Sequence, residues 1–490
     1  AQVQSSRASV LSPSAPFASR LVGMEAITSQ ADFEAKFRVH IADIKALGSN
    51  IPYAESVARM RKLVQSGILR HTDIRDNPQR FVAAHRLLAE FATSLGPGFW
   101  IRFTVHFNLF AGTVVALGTP EQVALLDKYQ SEGKVGCFGL TEVFAGVNSG
   151  MVVNTTCTWH PDMQQFLLHS PDKGAFKNWI SQGLCADLCV AVADLKVGGK
   201  SLGPHAFLMD IRRDGKLVEG VEMGDMGVKS IGNDLDNAWI SFSNVRLPKG
   251  SLLARYGYID EQNQYVQRQK GIRTMDMIGQ RLYTGRAVIA RSSLVFARML
   301  YASTREYSDK KMCWAPKGAG MPLSEIPQLK SLYQEAEGEL SHMEGFISEV
   351  ERRLQDCLRK EQIPPDELVQ AIASSKVKSV ELAIELCWRL KQEVGSYALM
   401  TGCGFEQLDY LQCCKFAEGD SRILMQKISR DRIKAFQNGF EGPAKEVELC
   451  KGIMEAGKKG DMEREHEQIY ALADAVIRRT IATFAPAAKL

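Results

Sequence analysis

Little in this sequence speaks for a metal, a membrane span or a nucleic acid. Its nine histidines include no His-Glu-x-x-His or comparable cluster, so a metal held by protein ligands is not expected. The eleven cysteines are scattered and odd in number. Cys185 and Cys189 lie four apart and Cys413 and Cys414 are adjacent, but neither arrangement has a second half at zinc spacing. They read as small buried hydrophobes of a reducing compartment, not as a disulfide framework. Net charge is +4, from 60 Lys and Arg against 56 Asp and Glu. That excludes the broad basic face of a nucleic-acid binder and leaves room for a local basic pocket around a polyanionic ligand. No stretch reaches the ~18 consecutive apolar residues of a transmembrane helix. Internal repeats and extended low-complexity segments are also missing.

What is there is ordinary globular material: 490 residues, 24% charged and 45% hydrophobic, enough for two to four domains or one large multilayer fold. The period changes along the chain. Residues from about 30 to 130 read as helices, with Phe81, Ala84, Leu87, Leu88 and Phe91 recurring at three and four. From about 134 to 255 short runs such as Thr155-Thr-Cys-Thr-Trp159, Gln165-Phe-Leu-Leu168, Cys189-Val-Ala-Val192, His205-Ala-Phe-Leu-Met209 and Trp239-Ile-Ser-Phe242 predict many short strands. Long helices return from about 272. Leu329, Leu332, Ala336, Leu340, Met343, Ile347, Val350 and Leu354 keep one apolar stripe that Pro364-Pro365 ends, and a second long helix is predicted from Asp366 to Val394.

The expected organisation is a multidomain α+β chain. A flexible leader covers 1–24, an N-terminal helical domain 25–133, a small central β-barrel 134–258, a four-helix bundle 270–440 and a helical extension 441–490. Residues 1 to 20 are rich in Ser and Ala, with two Arg and no acid, which fits a leader remnant or part of a transit peptide. Ala488-Lys489-Leu490 looks like a variant of the peroxisomal Ser-Lys-Leu address, giving a peroxisomal location, with plastid or mitochondrial matrix as the alternative.

Several motifs stand in register along this layout. They are Phe103-Thr-Val-His-Phe-Asn-Leu-Phe-Ala-Gly112, Cys137-Phe-Gly-Leu-Thr-Glu142, Lys177-Asn-Trp-Ile-Ser181, Gly203-Pro-His-Ala-Phe-Leu-Met-Asp-Ile-Arg212, Gly224-Asp-Met-Gly-Val-Lys229 and Phe242-Ser-Asn-Val-Arg-Leu-Pro248. Farther on come Tyr301-Ala-Ser-Thr-Arg305, Gln392-Glu-Val-Gly395 and Phe416-Ala-Glu-Gly-Asp-Ser-Arg422. Together they resemble the acyl-CoA oxidase and acyl-CoA dehydrogenase superfamily over roughly residues 100 to 435, with the oxidases most similar over about 100–266. The resemblance implies FAD as cofactor and an acyl-CoA thioester as substrate. It also implies the helical, β-barrel, helical-bundle fold and a homodimer or homotetramer.

Residue by residue, the resemblance implies that Thr141 hydrogen-bonds the flavin ring. A strand threonine of no special use is the plain alternative. Gly146 belongs to the glycine-rich turn at the cofactor phosphates, where Val147 stands in place of the family's hydroxyl. Trp179 packs against the flavin and Ser181 reaches its polar edge; a core tryptophan is the alternative for Trp179. Arg305 and the Gln392–Gly395 element contact FAD from a neighbouring subunit, and arginine suits phosphate as a bidentate donor. Ser396 replaces the element's second glycine. Arg281 lies near substrate and base, or is a solvated helix charge. Glu418 is the base, and Gly419 allows close backbone approach to the ligand. A thioester α-proton is weakly acidic, so a carboxylate must sit against it while the β-hydride leaves, and charge growing on the carbonyl needs preset donors.

Three functions stay open at this point. The run from 100 to 266 and the Ala-Lys-Leu end resemble an oxidase, whose reduced flavin gives H2O2 from O2. Trp179-Ile180-Ser181 and the short stretch after the Glu418 segment resemble a dehydrogenase that passes electrons to an electron-transfer flavoprotein. The departures at Val147, Ser396 and Ala417 leave a catalytically silent assembly subunit as the third.

Overall fold

The structure, a computed structural model, describes residues 27–45, 51–91, 97–145, 153–268, 274–314 and 320–484. The leader 1–24, Gly146 and the terminal Ala488-Lys489-Leu490 lie outside these residues, as does the side chain of Arg281. The layout is helical, then β, then helical. First come α1 (Gln30–Lys45), α2 (Tyr53–Ser66) and α3 (Pro78–Glu90). Next, α4 (Pro97–Thr104) runs through a π-helical segment, Val105–Ala111, into α5 (Gly112–Leu117), and α6 (Pro120–Ser131) follows. Thr119 caps α6 with a capping box to Gln122, so the Gly118-Thr119-Pro120 punctuation is a built helix start.

Two of the sheets build the β unit. The larger contains β1 (Gly136–Gly139), β2 (Thr156–His160), β3 (Gln165–His169), β5 (Leu188–Val197), β6 (Lys200–Asp210) and β9 (Val245–Pro248). The smaller contains β4 (Lys177–Ser181), β7 (Val221–Asp225) and β8 (Asn237–Phe242). Both contribute to one apolar core, with Cys157, Phe166, Ala191 and Phe207 from the larger and Ile180, Ile240 and Phe242 from the smaller. Alternation along β2 and β3, every second residue buried, produces this inward face.

After the β unit come α7 (Thr274–Lys310), α8 (Pro327–Arg359) and α9 (Asp366–Glu393), then α10 (Asp409–Phe416), α11 (Ser421–Gln437), α12 (Ala444–Lys459) and α13 (Met462–Phe484). The stripe Leu329 to Leu354 is the buried face of α8. The N-terminal helices and the bundle share one continuous core, from Phe33 and Phe103 through Leu294 to Phe484, while the β unit keeps its own. Gly98–Leu117 is, among the described residues, the one helical stretch long and apolar enough to cross a membrane, and 89% of it is buried inside the protein.

A chain of neutral histidines locks the π-helical segment to β1. The Gly136 N–H donates to His106 Nδ1 at 3.1 Å, so His106 carries its proton on Nε2 and donates to His71 Nε2 at 2.8 Å. His71 in turn donates from Nδ1 to the Leu126 carbonyl at 3.1 Å. Burial holds both rings below the usual imidazole range, to about 4 for His71, which keeps this single tautomer pattern.

Candidate active site

Glu418 lies between α10 and α11, in a turn whose two central residues are left-handed, Glu418 at φ 58° and Gly419 at φ 95°. A glutamate in that conformation is held there by its surroundings. Arg286, buried on α7, donates from Nε to the Glu418 carbonyl at 3.0 Å. Asp420 caps α11 by accepting from the Arg422 N–H at 2.7 Å. The carboxylate turns inward: Asn108 of the π-helical segment donates to Oε1 at 3.5 Å, and Oε2 is buried with no hydrogen-bond partner among the described residues. Gly285 makes the space. A Cβ there would stand 2.2 Å from Glu418 Cδ and 2.4 Å from Oε2.

Burial pushes the Glu418 carboxyl up to about 8, against the opposing pull of Arg286, Asn108 and Lys376. A buried carboxyl with one oxygen held and the other unpartnered is poised to exchange a proton near neutral pH. Gly419 has the backbone freedom its motif implied, and Arg286 Nη2 would lie 3.2 Å from a Cβ at that position. A small cleft lined by Arg75, Val115, Arg255 and Glu361 is separate from this turn.

The other sequence-derived residues stand on the β unit and the bundle surface. The segment after β1 is fixed by a buried ion pair: Lys177 Nζ reaches Glu142 Oε1 at 2.8 Å, and the same carboxylate accepts from the N–H groups of Asn154 and Thr155. The Asn178 N–H donates to the Thr141 carbonyl at 2.9 Å, and Thr141 and Trp179 are both exposed. Trp179 is 54% exposed with φ 56°, opposite a register shift in β8, so the core-tryptophan alternative fails. Ser181 Oγ accepts from Asn237 Nδ2 at 3.2 Å. Phe144, 61% exposed, continues the apolar surface. Arg305, near the end of α7, pairs with Asp309 at 2.9 Å and lies over Tyr333. Gln392 and Gly395, the latter at φ 62°, are exposed at the end of α9. Among the described residues no group of three His, Cys, Asp or Glu could hold a metal.

No family model matches the chain. Acyl-coenzyme A oxidase 1 of Yarrowia lipolytica is 38% identical over 170 residues, 33% of this chain and 24% of that protein. A peroxisomal acyl-coenzyme A oxidase 2 of Arabidopsis thaliana is 25% identical over 407 residues, 77% of this chain and 56% of that protein. The chain thus spans about half or less of these two relatives. A solved structure of acyl-CoA oxidase-2 from Caenorhabditis elegans, bound with FAD, ascaroside-CoA and ATP, superposes with TM-score 0.72 at 16% identity, over 92% of this chain and 75% of that one.

The chain is similar in sequence to acyl-CoA oxidases and shares their fold.

Sequence reading missed four residues at the Glu418 turn: Asn108, Gly285, Arg286 and Lys376. Asn108 stood inside the oxidase-like run from Phe103 to Gly112 without a role. Among the described residues the arginine that meets the turn is Arg286, five residues beyond Arg281, whose side chain lies outside them. A usable signal was present for two of them. Gly285 interrupts an otherwise good helix, and Lys376 stands in a run, Ala371 to Val377, that is otherwise apolar or small.

Proposed function

We propose that this protein binds FAD and an acyl-CoA thioester and oxidises the α,β carbon–carbon bond to the trans-2-enoyl thioester. The observation that carries this reading is Glu418: buried, left-handed, one oxygen unpartnered, with its proton affinity raised into the neutral range. The chain also fits the cofactor. Thr141, Phe144 and Trp179 present a hydroxyl and two aromatic faces to open space instead of to the core, as a planar ring with a polar edge requires. Thr141, Trp179 and Ser181 hold its ring, and Arg305, Gln392 and Gly395 reach the cofactor of a second copy, so the working unit is at least a homodimer. Gly146 belongs with the phosphates by its motif.

Glu418 takes the α-proton on Oε2 while Asn108 holds Oε1, and the electron pair of the broken C–H bond becomes the new double bond. Its own backbone N–H supports the thioester carbonyl as negative charge grows there. Burial, which makes the carboxylate costly, favours the protonated product state. Held by Thr141, Trp179 and Ser181, FAD would supply the acceptor for the β-hydride and the route of its two electrons to O2, giving H2O2. A peroxisomal location is supported by the name of the Arabidopsis relative.

The test is anaerobic mixing of FAD-loaded protein with acyl-CoAs of several lengths. Bleaching of the flavin is expected in the wild type, and Glu418→Gln should slow it about 100- to 10,000-fold with FAD still bound. Near-normal bleaching in the variant removes Glu418 from the role. The Asn237–Ser181 hydrogen bond favours a second reading for the acceptor alone, since it fixes a hydroxyl at the edge where oxygen must approach. Admitting air decides: rapid return of the oxidised spectrum with stoichiometric H2O2 supports the oxidase. Slow return that an electron-transfer flavoprotein accelerates makes it a dehydrogenase.

A further inference from the structure

The reaction proposed above gives no task to Lys376, although it is fully buried in the middle of α9. Its ammonium has three N–H donors, and all three point at the segment that brackets Glu418. They reach the Lys415 carbonyl at 2.6 Å, the Gly419 carbonyl at 2.9 Å and Ser421 Oγ at 3.2 Å. Ser421 Oγ donates on to the Lys415 carbonyl, closing the network. From the opposite side Arg286 takes the Glu418 carbonyl. Two successive carbonyls, of Glu418 and Gly419, are therefore each held by a different buried cation, and both residues are left-handed.

A lysine that merely filled volume between α9, α10 and α11 would be replaceable by methionine at lower desolvation cost. The full set of acceptors around the turn argues for another use. We propose that Lys376 is a positioning residue for the base: it clamps the turn from Lys415 to Ser421 so that the Glu418 carboxyl stays aimed between Asn108 and Gly285. This inference rests on the acyl-CoA reading for its chemistry, and on the geometry alone for the clamp.

Charge follows from the same placement. The groups facing Lys376 are Asp420 and Cys414 at the turn and on α10, Arg286 on α7 and Glu418 itself. Burial pulls the ammonium down to about 7, with Asp420 the leading opposing influence. While charged, Lys376 favours the Glu418 carboxylate, so removing it should raise the pH at which the base becomes available.

The experiment uses the full FAD-loaded protein with Lys376→Met, Lys376→Arg and the wild type. Two readouts are taken: anaerobic flavin reduction by acyl-CoA from about pH 6 to about pH 10, and hydrogen exchange of the amides from 411 to 424. For Lys376→Met we expect reduction about 10- to 100-fold slower at saturating substrate, with acyl-CoA affinity changed less than about threefold. Its rising pH limb should move upward and exchange at 418–420 should quicken. Lys376→Arg should restore the limb at least in part. A methionine variant with unchanged exchange and an unmoved limb overturns the proposal, as does slow reduction with the limb in place, which is what loss of packing alone gives. Should Lys376→Met fail to fold, Ser421→Ala removes one of the three acceptors and must move exchange and limb the same way by less; no change overturns the clamp. If no acyl-CoA reduces wild-type flavin, the functional reading falls, and exchange at 418–420 alone decides the clamp.

Discussion

Glu418 and Trp179 share an uncommon backbone, φ 58° and φ 56°, yet their surroundings are opposite. Glu418 is enclosed where the π-helical segment, α7 and α9 meet, and buried cations bind the carbonyls beside it. Trp179 stands 54% exposed on a strand whose partner shifts register beside it. One chain completes the first environment. The second presents aromatic and hydroxyl surface outward and is complete, on our reading, when a cofactor and a second copy cover it. Left-handed backbone is thus used in two ways: held by buried cations to aim a base, and set by a bulge to turn a ring away from the core.

The largest expected effect separates the two tryptophans of similar size that this division puts on opposite sides. Trp100 is 2% exposed and donates to the His85 carbonyl at 3.0 Å. Trp100→Ala should cost about 3–5 kcal/mol in chemical denaturation. Trp179→Ala should stay within about 0.5 kcal/mol and lose FAD instead. Equal destabilisation by both would break the comparison.

Next is Gly285→Ala. Its Cβ would fall 2.2 Å from Glu418 Cδ, so the carboxyl must move while the helix, an alanine richer, gains propensity. Flavin reduction should drop about 100-fold, as misplacement by an ångström commonly does. A variant as fast as wild type would show that the closed space around Glu418 is not what aims it.

This part of the molecule was only half legible from sequence. Glu418, Thr141, Trp179 and Ser181 could be proposed from sequence because each sits in a short contiguous motif. The oxidase-like run from Phe103 to Gly112 was visible, but not that Val105–Ala111 is π-helical and brings Asn108 to Glu418 across 310 residues of chain. Arg286 and Lys376 act on the turn from 132 and 43 residues away, through helix packing that no local pattern encodes. The order of helical and β regions was plain from period changes, because 3.6- and 2-residue repeats are local properties. That the two helical regions share one core was not plain, since it depends on how the chain returns to itself.

Glu418 also fixes a pH dependence that the exposed surface lacks. With its carboxyl raised to about 8, kcat/KM for flavin reduction should climb about tenfold per pH unit below about pH 8 and level above it. Stability should run the other way. Between the usual carboxyl range and about pH 8 the folded chain keeps this proton and the unfolded chain releases it, so the group destabilises increasingly as pH rises. The stability gap in favour of Glu418→Gln should therefore widen up to about pH 8 and then hold. A gap independent of pH in urea titrations, or a flat kinetic profile, contradicts the raised affinity.

The smallest effect concerns Arg305, where the open surface meets its proposed second copy. In this chain its guanidinium spends one hydrogen bond on Asp309, an exposed i,i+4 pair, and stacks over Tyr333. Such a pair is worth about 0.3–0.5 kcal/mol, so Arg305→Ala should barely alter unfolding. Its side chain is 43% exposed, so the guanidinium can also offer N–H donors to a phosphate, where charge-assisted bonds count for more. Loss of FAD should accordingly be about tenfold more pronounced than any change in folding suggests, on the scale of about 1.5 kcal/mol for a hydrogen bond to a charged group. Arg352 supplies the control: it too is exposed and ion-paired along its own helix, to Glu349 and Asp356, but it carries none of the cofactor motif. Equilibrium dialysis of FAD against both alanine variants, with light scattering to follow assembly, distinguishes them. If Arg305→Ala and Arg352→Ala retain FAD equally, Arg305 is a solvated helix charge. If Arg305→Ala alone loses it while the dimer persists, the open surface is completed across the subunit boundary.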